Sequence, residues 1–327
     1  MGGDKMNKFK VVAAAALLSV TGAVQGSAQD YPGGPLRYVL HVEPGGATDV
    51  MGRRLAEQLQ KQLGENVIVE NRPGGSGARQ MAQLARAKPD GLTLGSVTAS
   101  HLGMFQQSGQ FNIESVEWAC NLVLEPYLLT VRADSGIESM QDLVAKAKAS
   151  PGSLSVAGFG EASGGHIAWL MFGESAQLAD GDINWVPYNS VGDAVVATLG
   201  GHNNIAISYI GLVKQHVDAG TLKVIGIMSD TRSEIMPDVP TFAEAGFDVD
   251  TRWQQFRGII MPKGTPPEAQ QALCAEVETA LQTPELQKYI TDSALIPGYM
   301  PTEEFTDFAK AQETATKTWL DRLGHGQ

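Results

Sequence analysis

Tyr38-Val39-Leu40-His41-Val42-Glu43-Pro44-Gly45-Gly46-Ala47-Thr48-Asp49 sets the pattern for the whole chain. An apolar strand runs into a glycine-rich turn, and the turn opens an amphipathic helix. The same unit recurs at Val67–Val69 with Asn71-Arg72-Pro73-Gly74-Gly75-Ser76-Gly77, and at Leu154–Ala157 with Gly158–Gly165. The leading N–H groups of a helix have no intrahelical partner, and the helix dipole adds partial positive charge there. Glycine lets an anion approach that backbone closely. Several such turns on one sheet edge predict a site for something negatively charged.

Working outward, Leu36–Val42 reads as a buried strand and Thr48–Leu63 as a helix. Met51, Leu55, Leu59 and Leu63 share one face, Thr48 or Asp49 caps the start, and Gly64 stops the helix. A strand at Val67–Val69, a helix at Ala78–Ala87, the Pro89-Asp90-Gly91 turn and a strand at Leu92–Val97 follow. This βαβαβ order predicts a parallel sheet with right-handed crossovers. Asn121–Val131 is a long apolar stretch interrupted by Glu125-Pro126, read as a crossing from one domain to another. Helix Ser139–Ala149 leads to a second run: strand Leu154–Ala157, helix His166–Phe172, strand Ile183–Pro187, helix Gly192–Leu199 and strands Asn204–Ser208 and Leu222–Met228. Arg257–Met261 reads as a return strand, followed by helices near Pro267–Leu281 and Glu303–Leu323. The expected fold is α/β and two-lobed, each lobe a mostly parallel sheet flanked by helices. Residues 29–124 and 252–327 make lobe 1, and 125–251 make lobe 2. Ligands of open α/β sheets bind beyond the carboxyl ends of the strands, so the cleft between lobes is the expected site.

Composition narrows the partners. The formal net charge is −12, which argues against nucleic acid and anionic membrane. The N-terminus reads as an export leader: Lys5, Lys8 and Lys10, an apolar core at Val11–Val20, and Gly26-Ser27-Ala28 before the cleavage point. That core is too short to span a bilayer, and Met6 offers an equally good start. About 300 residues beyond the leader suit two ordinary domains. Cys120 and Cys274 are the only cysteines; export permits a disulfide between them, and apolar surroundings equally suit buried thiols.

Seven ordered motifs carry a family resemblance: Pro44-Gly45-Gly46 with Asp49, Val69–Gly77, Pro89-Asp90-Gly91, Val186-Pro187-Tyr188, Leu199-Gly200-Gly201-His202, Pro237–Gly246 and Pro262-Lys263-Gly264-Thr265-Pro266. Over nearly the whole chain beyond the leader, it resembles the periplasmic substrate-binding proteins of tripartite tricarboxylate transporters, the Bug family. The resemblance implies a monomeric, cofactor-free and metal-free periplasmic binder that closes around a small carboxylate and delivers it to a membrane permease. Family members hold one ligand carboxylate through backbone amides of both lobes, often with bridging water. The matching positions are Gly45, Gly46, Thr48, Asp49, Gly77, Thr98 and Ser100 in lobe 1, and Ser163, Gly164, Gly165 and His166 in lobe 2. Tyr188 and Asn189 are pocket-wall candidates. After Tyr188 the family commonly carries a basic residue and a glycine, where this chain has Asn189-Ser190. The segment Trp253 to Gly258 resembles the tricarboxylate-binding branch.

Plainer roles stand beside these. Asp49 can brace its loop and complement the helix dipole, Thr48 and Ser163 can be simple caps, and Gly74–Gly77 can be a tight turn. Arg72 can brace its loop, and Asn71 can cap its own turn. Enzyme readings fare worse. Gly158-Phe159-Gly160-Glu161-Ala162-Ser163 has serine where a dinucleotide fingerprint needs glycine or alanine. Gly74-Gly75-Ser76-Gly77 continues to Ala78 and so lacks the nucleophile-elbow pattern. Phosphate-loop and His-Glu-x-x-His signatures are absent, and the cysteines lack zinc spacing. An exported hydrolase acting on a small carboxylate, or a ligand sensor for a membrane receptor, are the alternative readings. The exported protein is expected to begin at or near Gln29; an intact mass retaining Val11–Val20 would contradict that.

Overall fold

The computed structural model describes Met1 and residues 31–322; the leader and its cleavage point lie outside the described residues. In chain order the elements are β1 (Leu36–Leu40), α1 (Ala47–Leu63), β2 (Val67–Asn71), α2 (Ala78–Leu84), β3 (Thr93–Thr98), α3 (Ala99–Ser108), β4 (Val116–Glu125) and β5 (Leu128–Arg132). Then come α4 (Met140–Ala149), β6 (Leu154–Phe159), α5 (Gly164–Ser175), β7 (Ile183–Tyr188), α6 (Val191–Leu199), β8 (Ile205–Ser208), α7 (Ile210–Asp218) and β9 (Leu222–Ile227). The chain finishes with β10 (Gln255–Pro262), α8 (Pro267–Leu281), α9 (Pro284–Asp292), β11 (Ile296–Met300) and α10 (Thr302–Arg322).

These elements build two sheets, ordered β11-β4-β10-β3-β1-β2 and β7-β6-β8-β5-β9. Each sheet is mixed and not mostly parallel. The crossover units give the parallel pairs β1 with β2 and β3, and β6 with β7 and β8. The strands that carry the chain between sheets run the other way: β10 is antiparallel to β3 and β4, and β5 is antiparallel to β8 and β9. The long apolar stretch read as one crossing is two strands in two sheets. Pro126 between them cannot donate a ladder hydrogen bond, which ends β4 and lets β5 start afresh.

Local chemistry explains the elements that matter for the site. In α1, Met51, Leu55 and Leu59 are buried on one face, and Gly64 closes the helix in the left-handed region at φ 68°. Every residue of β10 is buried, since it lies between two neighbours and under helices on both sides. Helices α3, α7 and α9 and strand β11 were not expected from the sequence. In α3, Ser100, His101 and Gly103 are poor helix formers; burial of its Leu102 and Phe105 with Met81, Leu84 and Val97 overrides that propensity. Cys120 on β4 and Cys274 on α8 are both buried and free. Burial and the neighbouring Cys274 push the Cys120 thiol well above its ordinary value, which keeps it protonated.

One apolar cluster runs through both sheets, joining Val97, Trp118 and Phe256 to Leu129, Val156 and Phe172. On this side of the molecule the halves touch closely. A methyl group added at Gly103 of α3 would fall 1.8 Å from the Ala162 carbonyl oxygen of the β6–α5 loop. Gly103→Ala is therefore expected to cost about 1–3 kcal/mol of unfolding free energy, read from urea denaturation; an unchanged midpoint would contradict this contact.

Candidate functional site

A cavity of about 410 Å³ opens between the two sheets. The first sheet contributes the β1–α1 loop from His41 to Thr48, with Thr98, Ser100, Gln255 and Arg257; the second contributes Phe159, the residues 189–193 that start α6, Tyr209 and Leu212. The starts of four helices therefore meet here: α1 with Gly46 at its N-cap, α3 with Thr98, α6 with Ser190 and α7 with Tyr209. Two come from each sheet. Neither Gly46 nor Tyr209 makes a side-chain capping bond, so the first N–H groups of α1 and α7 are open to an outside acceptor. Ser190 caps α6 by accepting from the Asp193 N–H at 3.0 Å.

Arg257 supplies the buried cation of the cavity wall. It projects from β10, is 4% exposed, and forms a buried ion pair with Glu125 at the end of the neighbouring β4. Its other terminal nitrogen donates to the Thr48 hydroxyl at the start of α1. Because Thr48 Oγ1 accepts there, its own O–H proton is left for the cavity. The guanidinium lies over the Tyr209 ring, 5.5 Å from the centroid. Burial alone would lower the Arg257 pKa, but the charge and hydrogen bond of Glu125 together with Tyr209 and Tyr289 more than offset it and keep the guanidinium charged. Burial raises the Glu125 carboxyl, and Arg257 opposes that rise. Removing one partner of such a pair costs about 3–5 kcal/mol, because the other charge stays buried alone.

Behind the wall a fully buried polar chain fixes Thr98. His101 Nδ1 accepts the Thr98 N–H at 3.3 Å, so its proton sits on Nε2 and goes to Gln80 Oε1 at 2.9 Å. Gln80 Nε2 donates to the Val39 and Ser96 carbonyls at 2.7 and 2.8 Å, and His41 pairs with Ser96 Oγ at 2.8 Å and Thr98 Oγ1 at 3.3 Å. Desolvation lowers the pKa of both imidazoles, His41 well below its usual value and His101 to about 4.

Of the residues expected at the site, Gly45, Gly46, Thr48, Thr98, Ser100 and Asn189 line this cavity. The others sit elsewhere. Asp49 is 2% exposed and braces the loop: it accepts from the Gly45 N–H at 2.9 Å, Asn71 Nδ2 at 2.8 Å and Arg53 Nε at 3.0 Å. Burial would raise its carboxyl, but these bonds together hold it below the usual carboxylate range. Asn71 thus serves Asp49 and the Val42 carbonyl, not its own turn, while Arg72 braces Gln83 and Glu70. Gly77, at φ 109°, gives room to His101, whose Nε2 would lie 2.5 Å from an added Cβ. Ser163 caps α5 through the His166 N–H at 3.2 Å. Gly164 fits under the Tyr127 hydroxyl and Ala99, and its carbonyl accepts from Trp253 Nε1 at 2.9 Å. Gly165 faces Ile207, so a bulky residue there strikes the core instead of filling a ligand site. His166 accepts the Ala162 N–H at 3.0 Å and stacks on Trp185, lining a different hollow with Trp169 and Trp319. Tyr188 is tied through its hydroxyl to Asn203 at 2.7 Å.

Reading the sequence alone missed His41, Phe159, Tyr209, Gln255, Arg257 and Glu125. One signal was available: Arg257 is a charge inside an otherwise apolar strand, and such a charge demands a buried partner.

The chain belongs to the tripartite tricarboxylate transporter receptor family, whose model matches residues 51–324. It is 32% identical to protein BugT of Bordetella pertussis over 85% of this chain and 86% of that protein. It is 29% identical to the UPF0065 protein in gbd 5'region of Cupriavidus necator over 98% of each. A solved periplasmic transporter superposes with a TM-score of 0.82 at 26% identity, covering 90% of this chain and 99% of that one. A TctC solute-binding protein from Polaromonas gives a TM-score of 0.69 at 26% identity, covering 89% and 99%. A Rhodopseudomonas palustris protein with adipate shares the fold, with a TM-score of 0.82 at 21% identity, covering 90% and 98%. The chain takes its class, a transporter receptor and not an enzyme, from that family, of which the Polaromonas solute-binding protein is a solved relative.

The buried imidazoles give the fold a pH dependence. Above pH 6.5 both folded and unfolded chains hold His101 neutral. As pH falls below 6.5 the unfolded chain takes up a proton that the folded chain refuses until about pH 4, so stability drains through that window. His101 alone accounts for about 3 kcal/mol. Urea titrations at pH 7 and near pH 4 should show the loss, and His101→Gln should reduce it; equal stabilities at the two pH values would contradict the neutral, buried ring.

Proposed function

We propose that the protein is an exported, periplasmic receptor that captures a small organic carboxylate in the cavity between its sheets and hands it to the membrane permease of a tripartite tricarboxylate-type transporter. The observation that carries this reading is the convergence of helix starts from both sheets on one cavity walled by Arg257 and Thr48. A charge-assisted hydrogen bond contributes about 1.5–3 kcal/mol, and micromolar binding needs about 8 kcal/mol net of the cost of immobilising the ligand. Donors from one sheet alone fall short of that; donors from both reach it.

Affinity then depends on both halves reaching the ligand together. The two sheets serve as lobes that close on it, with the chain crossings at Pro126 and between β9 and β10 as hinges. The carboxylate accepts from the open N–H groups of α1 and α7 and from Thr48, while Arg257, held charged by Glu125, sets the local potential. Family membership and the adipate held by a protein of the same fold support a carboxylate as cargo.

A thermal-shift screen of mono-, di- and tricarboxylates, aromatic acids and amino acids tests the reading. The cognate acid at a hundredfold excess over its Kd is expected to stabilise the fold by about 3 kcal/mol, to be recovered unchanged, and to reduce the radius of gyration in solution scattering. Stabilisation by no carboxylate, or chemical conversion of the bound one, would overturn it.

A further inference from the structure

We infer that four arginines around α2 form a docking surface for an acidic segment of the membrane permease; the identity of that partner rests on the receptor reading above. The chain carries a formal net charge of −12, yet this surface is basic. A groove of about 410 Å³ is lined by Arg37 of β1, Arg79 of α2 and Arg86 just beyond α2, together with Gln83 and Thr93. Arg79 also lines a neighbouring hollow with Arg72, which joins the fourth arginine to the same surface. All four are exposed. Among the described residues the one acid ion-paired with them is Glu70, which Arg37 and Arg72 share at 3.0 and 3.2 Å. Four positive charges against one negative leave three unbalanced, and neither Arg79 nor Arg86 enters an ion pair among the described residues.

Arg79 is held in place. Its Nη1 donates to the Pro73 carbonyl at 3.4 Å, and its stem lies on Gly74, where an added Cβ would come within 2.7 Å of Cδ. Complementing the dipole at the end of α2 accounts for one cation, not four. Like charges gathered on one surface repel each other, and an anion supplied from outside relieves that repulsion. Each guanidinium fork can take two oxygens of a carboxylate in parallel hydrogen bonds. A groove favours a protein segment over a bilayer, because projecting acidic side chains enter it and a flat headgroup surface does not. The net negative charge of the chain also repels an anionic bilayer as a whole. A single narrow segment feels chiefly the arginines, since salt screens charges beyond about 8 Å.

Fluorescence anisotropy of a labelled Glu-Gly repeat peptide, titrated with the purified protein at low and physiological ionic strength, tests the surface. The peptide is expected to bind, to weaken with salt, and to lose about tenfold in affinity in the Arg79→Gln/Arg86→Gln double variant. Replacing two exposed lysines elsewhere, Lys288→Gln/Lys310→Gln, should leave binding unchanged. In cells, the arginine variant should lower uptake of the cognate acid by a similar factor. The purified variant should still bind that acid with the wild-type Kd, since none of the four arginines lines the cavity. A peptide that does not bind, an arginine variant that binds it as the wild type does, an equal loss in the lysine variant, or uptake that survives the arginine change overturns the inference. So does binding to vesicles containing phosphatidylglycerol that the arginine variant abolishes, which would assign the surface to lipid. A protein that no carboxylate stabilises fails at the receptor reading instead, and the peptide titration still decides the surface.

Discussion

The buried pair of Arg257 and Glu125 is the constraint on which the site depends. Glu125 ends β4 opposite Gln255, and Arg257 projects from β10 two residues further along the same antiparallel ladder. Neither charge is tolerable there alone. Their mutual neutralisation lets a guanidinium stand in the cavity wall without swelling the core. From that position it reaches Thr48 at the start of α1 and the ring of Tyr209 at the start of α7. One side chain thus connects helix starts that belong to different sheets.

A second, neutral network holds the remaining wall. Gln80, His101, His41 and Ser96 pass hydrogen bonds from α2 and β1 to Thr98 with every ring nitrogen partnered. Because the imidazoles stay unprotonated, this network adds orientation without charge. The polar wall of the cavity then combines one balanced ion pair with the backbone donors of the helix starts.

Much of the fold was legible in the residues. The fourfold apolar spacing and terminal glycine of α1, and the strand–turn–helix units, translate directly into elements and into the cavity's first wall at Gly45–Thr48. The loop after β6 shows where that logic stops. Its glycines look like an anion cradle, yet Gly158 makes room for Trp185, Gly164 for Tyr127 and Gly165 for Ile207. Glycine marks close approach, and the sequence does not say of what. Likewise α3 and α7 contain glycine and, in α3, serine and histidine, and only tertiary burial makes them helical. Arg257 announced itself as a charge in an apolar strand, but its partner lies 132 residues away in sequence, which no local pattern reveals.

The most direct measurement is a crystal structure of the protein with a bound carboxylate acid. The account predicts the carboxylate group beside Thr48 and Arg257, accepting hydrogen bonds from helix starts of both sheets. A ligand lodged in the hollow at His166 and Trp185, or one touching a single sheet, would contradict it.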